Sequence, residues 1–362
     1  MKFADVLEIR NGRNQRQVES EDGKYPIYGS GGVMGRANSF ICEANTVVIG
    51  RKGSINNPIF VEEPFWNVDT AFGLIPHADI LMPKYLYYFC EHYDFEKLNT
   101  TVTIPSLTKA NLLQVEIDLP KIETQRVRVS VLDKIEHSCE LLRQEIFKLD
   151  DLVKSRFVEM FGDPVANERG WQTKPLDSVC KTIVDCPHST PSYTDEDTGY
   201  MCIRTSIVKK NTILWDEIEY IPEHEYYQRI QRKRPEKGDI VYTREGAILG
   251  IAAIIDRECN VALGQRSMLL SPNTAMCMPQ FLSVAMNFES FLRKALGGVG
   301  GSASPHINVG DIKMFAIILP PVELQQQFAD FVAQVDKSKL AVKQSLEKLE
   351  TLKKSLMQQY FG

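Results

Sequence analysis

The sequence lacks the signatures of the common enzyme classes and metal sites. It has no Walker A glycine loop, no H-E-x-x-H helix and no paired Asp/Glu nuclease motif, so nothing in it predicts catalysis. Its eight cysteines form no C-x-x-C pair, which argues against a zinc ribbon or a thioredoxin-type redox site. Cys186-Pro187-His188 offers two potential metal ligands without a second pair, and we predict no metal site.

Long apolar runs and an excess of basic residues are also missing. The longest apolar run, at 247–255, is too short to cross a bilayer, and no basic-then-apolar segment opens the chain. We therefore predict a cytoplasmic protein without a membrane partner. The net charge is −5, whereas a DNA-binding domain usually carries a basic face. An acidic total still permits DNA binding if the acidic residues face protein partners.

In contrast, the chain contains an internal repeat with an offset of 200 residues. The motif Leu-Pro-x-x-Glu-x-Gln at 119–125 returns at 319–325, and Phe161-Gly162 returns as Phe361-Gly362. The register holds without a gap over more than forty positions, which indicates a duplication.

Each Leu-Pro motif precedes a long amphipathic segment. Apolar residues follow the alternating spacing of three and four that is typical of a coiled-coil seam, and the Phe-Gly pair ends the pattern. In the second copy, Lys339 or Leu340 interrupts the seam. We predict two helices of about 36 residues, or about 55 Å each. We expect them to form an antiparallel coiled coil, with the preceding segments at its opposite ends. The alternative is that each helix packs on its own domain.

The segments before the two helices predict strands and tight turns. Both contain short β-branched and aromatic runs ended by Gly, Pro or Asn, with helices predicted at 83–94 and 279–296. The predicted fold class is α/β (α+β), a pseudo-two-fold internal repeat of two α/β domains joined by two long helices. The predicted boundaries are 1–120 for the first domain, 121–162 for the first helix, 163–320 for the second domain and 321–362 for the second helix.

Candidate binding residues lie in turns that recur in both copies. The segment 50–54 after one predicted strand matches 243–247 after another, and 67–70 aligns with 263–267. The segments 104–107 and 302–306 also occupy matching places. Arg and Lys at such turns can donate to phosphate or to guanine O6 and N7, and Glu can accept from cytosine N4. The glycines at 29–35 allow close backbone approach to a ligand, although a simple hairpin turn is the alternative.

Two further motifs resemble parts of a methyltransferase but differ in detail. Tyr28-Gly-Ser-Gly-Gly32 lacks the leading Phe of a methyl-donor loop, and Asn57-Pro58-Ile59-Phe60 has Ile where the catalytic loop needs a second proline. Neither motif therefore predicts catalysis in this chain.

Over its whole length the chain resembles the specificity subunits of Type I restriction-modification systems. The resemblance is carried by 28–32, by Val48-Ile-Gly-Arg-Lys-Gly53, by Asp69-Thr-Ala-Phe72, and by the repeated helix starts and ends. It implies that each domain is a target recognition domain that reads half of a split double-stranded DNA target. It also implies that the helices form a spacer and dock two methyltransferase subunits.

The resemblance further implies that the chain catalyses nothing and holds no cofactor. S-adenosylmethionine would be bound by the methyltransferase subunits, which methylate adenine, and ATP and Mg by a restriction subunit if one joins. Because the second domain is longer and has no clean copy of the Gly-Ser-Gly-Gly loop, the two half-sites should differ. The alternatives are the recognition subunit of a Type IIB-like restriction enzyme, a degenerate methyltransferase, and a coiled-coil scaffold that does not touch DNA.

Recurrence and resemblance together suggest a set of DNA-binding residues, with no catalytic residue and no metal ligand. In the first domain they are Tyr28, Ser30, Gly31, Arg36, Arg51, Lys52, Ser54, Asp69, Thr70 and Ser106. In the second domain they are Arg204, Thr205, Arg244, Glu245, Gln265, Arg266, Ser304 and His306.

Overall fold

The computed structural model describes residues 1–99, 104–297 and 305–362. It consists of two compact units. Unit 1 contains residues 1–144 and 342–362, and unit 2 contains residues 145–341.

Within its described residues, unit 1 contains two small sheets. Its strands are β1 (Leu7–Asn11), β2 (Tyr25–Gly29), β3 (Gly32–Ala37), β4 (Thr46–Gly50), β5 (Ile59–Val61), β6 (Trp66–Asn67) and β7 (Ala71–Pro76). Four strands form an antiparallel sheet in the order β1-β7-β4-β5. The other sheet has the order β3-β2-β6, with β2 antiparallel to β3 and parallel to β6. Every residue of β4 is buried, which explains its continuous apolar run.

Short helices cover the larger sheet of unit 1. They are α1 (Phe3–Val6), α2 (Pro83–His92) and α3 (Lys109–Leu112), with a 3-10 turn at Phe95–Leu98. The long helix α4 (Ile122–Phe161) begins in unit 1 and ends in unit 2. Proline occupies the first turn of α2, where its missing N–H leaves no helical hydrogen bond unmade.

The part of unit 2 that the structure describes contains four small sheets. Its strands are β8 (Gln172–Pro175), β9 (Cys180–Asp185), β10 (Met201–Ile203), β11 (Val208–Lys209), β12 (Thr212–Ile213), β13 (Glu219–Tyr220), β14 (Ile240–Thr243), β15 (Ala252–Ile254), β16 (Val261–Leu263), β17 (Ser267–Pro272) and β18 (Ala316–Leu319). The largest sheet is antiparallel with the order β15-β14-β17-β9, and a second has the order β13-β10-β16. Two-stranded sheets pair β11 with β12 and β18 with β8.

The helices of unit 2 resemble those of unit 1 in order. They are α5 (Leu176–Val179), α6 (Glu223–Arg229), α7 (Pro279–Met286), α8 (Glu289–Leu296) and α9 (Val309–Lys313), with 3-10 turns at Thr205–Ile207 and Trp215–Glu217. The long helix α10 (Val322–Phe361) begins in unit 2 and ends in unit 1. The prediction of one helix over 279–296 was wrong, because the segment breaks at Asn287. The Asn287 amide accepts from the backbone N–H of Ala252 at 3.0 Å and donates to its carbonyl at 2.7 Å, which fixes the break.

The duplication is visible in the order and pairing of the elements. The sheet β1-β7-β4-β5 in unit 1 matches β9-β17-β14-β15 in unit 2. A one-turn helix precedes the first strand of each sheet, and a proline-started helix follows β7 and β17. The parallel pair β2–β6 is likewise matched by β10–β16. The two copies therefore share one fold, although their sequences are only loosely related.

The long helices pair with each other, as predicted. Each has 40 residues, and their bounds differ by the 200-residue offset of the repeat. Within unit 1, Arg143 Nη2 binds Glu350 Oε1 at 2.8 Å, and Arg128 Nη1 donates to the Tyr360 carbonyl at 2.9 Å. Residue numbers rise along one helix as they fall along its partner, so the pairing is antiparallel.

The same antiparallel pairing continues within unit 2. Phe157 packs edge-on against Phe328, with the ring centroids 5.5 Å apart. Lys339 takes the interrupted seam position and pairs with Asp150, whereas Leu340 is 57% exposed. Among the described residues, no helix combines the length and apolarity that a membrane crossing needs.

Candidate nucleic-acid interface

In unit 1, three chain segments meet after the end of β4. The backbone N–H of Arg51 donates to the Thr70 carbonyl at 2.8 Å, and that of Gly53 donates to the Pro105 carbonyl at 3.0 Å. The N–H of Leu107 returns to the Arg51 carbonyl at 2.9 Å. We call the joined segments, residues 50–54, 67–70 and 104–107, loop cluster 1.

Unit 2 builds the same arrangement after β14. The N–H of Arg244 donates to the Arg266 carbonyl at 3.0 Å, and that of Gly246 donates to the Pro305 carbonyl at 3.0 Å. The N–H of Ile307 returns to the Arg244 carbonyl at 2.9 Å. We call residues 243–247, 263–267 and 305–307 loop cluster 2. The three matching hydrogen bonds confirm the correspondence that the sequence motifs predicted between these segments.

Glycine is required at the turn of each cluster. Gly53 has φ +83° and Gly246 has φ +91°, a backbone region that side chains with a Cβ rarely adopt. Gly50 is needed for a different reason, because a Cβ there would lie 2.3 Å from the Ser54 carbonyl oxygen. The glycine spacing in this motif is therefore a requirement of the loop's shape.

Several predicted residues of unit 1 come together at loop cluster 1. Arg51 is exposed, its Nη1 lies 3.4 Å from the Asp69 carbonyl, and its guanidinium lies 5.8 Å from the ring centre of Phe72. Lys52 and Ser54 are also exposed. This loop thus presents two basic side chains to solvent.

The hairpin β2–β3 borders this cluster at its turn. Ser30 lies over Gly50, where an added Cβ would be 3.1 Å from the Ser30 Cβ, and Gly31 is exposed. The ring of Tyr28 packs edge-on against that of Phe65. Burial and, to a smaller extent, the nearby charge of Glu63 raise the pKa of the Tyr28 hydroxyl.

The remaining predicted residues of unit 1 have distinct surroundings. The Ser106 N–H donates to Asn99 Oδ1 at 3.1 Å, and Ser106 pairs with Lys52 across the cluster. Arg36 stands at the other end of the hairpin, opposite Pro26, and its Nε donates to the Gly23 carbonyl at 2.6 Å. The structure therefore does not bring Arg36 together with the loop residues.

Arg244 differs from its counterpart Arg51 because it is buried. Its side chain is 7% exposed, and its Nε and Nη2 donate to the two carboxylate oxygens of Asp185 at 2.8 and 3.1 Å. Nη2 also lies 2.8 Å from Glu245 Oε1. The guanidinium that we predicted to contact DNA is thus engaged in internal ion pairs, and the partly exposed charge of residues 243–247 belongs to Glu245, whose side chain is 25% exposed.

The other predicted residues of unit 2 fall into two groups. Glu245 pairs with His306 across loop cluster 2, and Arg266 is exposed with φ +72°. Gln265 Nε2 donates to Thr190 Oγ1 at 2.9 Å. Arg204 pairs with Glu219 at 2.9 Å and lies over the Tyr193 ring, and the next residue, Thr205, is half-buried. Ser304 lies outside the described residues.

Sequence reasoning missed Asp185, the residue that holds Arg244. It ends β9, directly before the Cys186-Pro187-His188 segment, and its Oδ2 lies 3.0 Å from His188 Nε2. Cys186 is buried, and within the described ranges no group of three His, Cys, Asp or Glu side chains could hold a metal ion. Since Asp185 and Arg244 are far apart in sequence, no local pattern indicates their pairing.

The densest basic cluster of unit 2, residues 229–237, is only partly exposed. Arg229 is 6% exposed and binds Glu225 Oε1 at 2.7 Å as well as the carbonyl of Ser189. Arg232 Nη1 donates to the Asp185 carbonyl at 3.1 Å. Arg229 therefore adds no exposed positive charge, whereas Arg232, Arg234 and Lys237 are exposed.

The fold and the loops define a duplicated protein in which one loop frame is built twice with different side chains. Residues 1–150 and 168–352 match the family model of the Type I restriction modification DNA specificity domain. The chain belongs to this family, as its motifs predicted.

Known relatives agree with this membership. The EcoBI Type I restriction enzyme specificity subunit of Escherichia coli is 18% identical over 346 residues, which cover 87% of this chain and 72% of that protein. The Type I S subunit of M. genitalium aligns over 100% of this chain and 95% of its own, with 16% identity and a TM-score of 0.61. A chain from a type I restriction-modification system solved for its assembly and conformational transition aligns over 99% of this chain and 96% of its own, with 16% identity and a TM-score of 0.55.

Proposed function

We propose that the chain is the DNA-sequence specificity subunit of a Type I restriction-modification complex, and that each unit reads one half of an asymmetric, two-part target. The repeated loop frame is the observation that carries this proposal. Equivalent backbone hydrogen bonds hold both loop clusters, whereas the side chains at matched positions differ. The matched pairs are Lys52 and Glu245, Thr70 and Arg266, and Ser106 and His306.

A constant frame with changed side chains suits the reading of two unlike sequences. Hydrogen bonds to phosphate fix the register of a protein on DNA, and side chains that reach base edges supply the specificity. In unit 1 the exposed Arg51 and Lys52 can serve either role. In unit 2 the exposed Arg266 is the basic side chain of the frame, because Arg244 is buried.

We further propose that the paired helices dock two methyltransferase subunits and act as the spacer between the half-sites. Support comes from large apolar side chains that the helices expose: Val127, Leu141, Phe147, Leu152, Val158, Leu340 and Leu352. Phe147 alone is 67% exposed. Exposed apolar side chains that lie together on a surface are typical of protein interaction sites. S-adenosylmethionine would be bound by those subunits, and ATP and Mg by a restriction subunit where one joins, while this chain contributes recognition without catalysis.

Methylation mapping tests the proposal. Genomic DNA from cells with and without this chain, in the presence of its methyltransferase subunits, should differ in one asymmetric two-part motif that carries methylated adenine. An identical methylation pattern in both cells would contradict the proposal. Thermal stabilisation of the isolated chain by S-adenosylmethionine would favour a degenerate methyltransferase instead, and the lack of a DNA footprint from the complete complex would favour a scaffold. Identification of the subunits that purify with the chain distinguishes a Type IIB-like restriction enzyme from a Type I complex.

A further inference from the structure

We infer that the two loop clusters read bases with opposite hydrogen-bonding polarity, Lys52 donating to a guanine in one half-site and Glu245 accepting from a base amino group in the other. The inference rests on the proposed function. Lys52 and Glu245 are matched by geometry, since each follows the arginine that anchors its loop. Lys52 pairs with Ser106 and Glu245 pairs with His306, the residues that follow the two anchoring prolines.

A buried arginine holds Glu245 in place. Arg244 Nη2 lies 2.8 Å from Glu245 Oε1, and the same nitrogen donates to Asp185 Oδ2 while Nε donates to Asp185 Oδ1. The side chains of Arg244 and Asp185 are 7% and 17% exposed, whereas that of Glu245 keeps 25% of its surface exposed. Arg244 is therefore a positioning residue that presents the Glu245 carboxylate at the loop surface.

A carboxylate presented by a DNA-binding loop needs a specific partner, because the phosphates repel it. Bases supply such a partner through their amino groups, and in the major groove these are cytosine N4 and adenine N6. Asp185 shares its carboxylate between Arg244 and His188, so Glu245 is the carboxylate that this cluster offers to DNA, and a carboxylate does not serve as a phosphate anchor. Reading an amino group accounts for an acidic side chain at this place.

Loop cluster 1 has the opposite chemistry at the matched place. Arg51 is exposed and contacts the backbone carbonyl of Asp69, where Arg244 binds carboxylates. Lys52 is exposed and carries the charge opposite to that of Glu245. An ammonium donates to the O6 and N7 acceptors of guanine, so the matched base pair in this half-site should be G·C.

Base-by-base methylation tests the assignment. The complete complex, with its methyltransferase subunits, is given a library in which every base pair of the target is varied. Glu245→Gln keeps the size and one acceptor oxygen but loses the charge that binds Arg244. We expect it to reduce discrimination at one position of one half-site by roughly 5- to 150-fold, the range for a side chain that hydrogen-bonds a base. Arg244→Lys should also reduce discrimination between bases at that position, because lysine lacks the planar guanidinium that binds both carboxylates.

Matched variants locate the effect. Lys52→Gln should lower the preference for a G·C pair in the other half-site and leave the Glu245 half-site unchanged. Asp256→Asn is the control, since it removes an exposed carboxylate that pairs with Arg257 at 3.0 Å in unit 2, and it should change no preference. If the complex with Glu245→Gln does not assemble, Glu245→Asp replaces it. That variant must then alter the base preference at the position that Arg244→Lys alters.

Three results would overturn the assignment. They are unchanged base preferences in the assembled Glu245 variant, a uniform loss of methylation on all library members, and an A·T pair at the position that Lys52 governs. If the wild-type complex methylates no two-part target at all, the proposed function fails instead, so the two failures can be told apart.

Discussion

The side chain of Gln125 binds the backbone of Met82, with the Gln125 Oε1 accepting the Met82 N–H at 2.9 Å. The Gln125 Nε2 donates to the carbonyls of Ile80 and Pro120 at 2.8 and 2.9 Å. Gln125 is fully buried. One amide therefore joins the start of α2 to the start of α4.

The second copy repeats this contact. Gln325 accepts from the Met278 N–H at 2.9 Å and donates to the carbonyls of Met276 and Pro320 at 3.0 and 2.9 Å. The glutamine of the repeated Leu-Pro-x-x-Glu-x-Gln motif thus fastens each long helix to its own unit. This explains why the motif survives where the remaining sequence has diverged between the copies.

Gln125→Ala should destabilise unit 1 by about 2–4 kcal/mol, because it leaves a buried N–H and two carbonyls without a partner. Calorimetry of the whole chain measures the change as a lower unfolding temperature. Gln144→Ala is the control, since Gln144 is exposed on the same helix and its Nε2 donates to the exposed Glu140. We expect the control to change stability by less than about 0.5 kcal/mol. Equal unfolding temperatures for the two variants would contradict the role given to Gln125.

The matched arginines Arg51 and Arg244 should respond differently to truncation. Arg244→Ala leaves the carboxylates of Asp185 and Glu245 without their cation in a largely buried site, which should cost about 3–5 kcal/mol of stability. Arg51→Ala removes an exposed side chain and should leave stability nearly unchanged. If it reads a base, DNA binding by the complex should weaken by about 1–3 kcal/mol.

Chemical denaturation and DNA binding of the two variants, compared side by side, check this prediction. The relaxed preference of Arg51→Ala should appear in a selection assay within one half-site only. A stability loss in Arg51→Ala as large as that in Arg244→Ala would contradict the prediction, because it would show that both arginines stabilise the fold.

Arg266→Asn should make the protein more stable and less specific. Arg266 has φ +72°, in the left-handed region that costs an ordinary residue roughly 1–2 kcal/mol and that asparagine tolerates better. The other described non-glycine residues with positive φ are all asparagines, namely Asn45, Asn167 and Asn211. Thermal unfolding should therefore shift upwards, while methylation loses selectivity within one half-site. A lower unfolding temperature, or an unchanged motif, would contradict this view of Arg266.

Asp163 should make the stability of unit 2 sensitive to acid. Burial opposes its ionisation, but hydrogen bonds from the N–H groups of Ala166 and Val165 and from the Ser290 hydroxyl, together with the charge of Arg293, outweigh burial and hold its pKa below the usual value. A depressed pKa in the folded state stabilises the fold above about pH 4, the unfolded value, and the contribution disappears as the pH falls through the folded value.

Asp163→Asn should therefore reduce the difference between the unfolding temperatures at pH 6 and pH 3. Asp151→Asn, which changes an exposed carboxylate on α4, serves as the control and should behave like the wild type. A pH response that is the same in the Asp163 variant and in the wild type would count against this source of acid sensitivity.

The features that were predictable from the sequence are those that recur at a fixed offset. The helices at 122–161 and 322–361, their antiparallel pairing and the matching of loops 50–54 and 243–247 all follow from the repeat. Apolar spacing defines a helical seam by local geometry alone, so it is legible without tertiary information. The DNA contacts themselves stay predictions.

The features that could not be predicted depend on partners distant in sequence. Arg244 resembles its counterpart Arg51 in the motif, but its side chain is buried in an ion pair with Asp185, which lies 59 residues earlier. The break at Asn287 similarly depends on Ala252, 35 residues away. Neither contact leaves a periodic or local signature, and each changes which side chains the site exposes.

We propose that the two units read separate halves of one target with the same loop frame. The most direct measurement is the methylated motif of cells that carry the complete complex with wild-type chain, with Lys52→Ala, or with Arg266→Ala. We predict one asymmetric two-part motif for the wild type, relaxed in one half by Lys52→Ala and in the other half by Arg266→Ala. Relaxation of the same half by both variants, or a motif that neither variant alters, would contradict the claim.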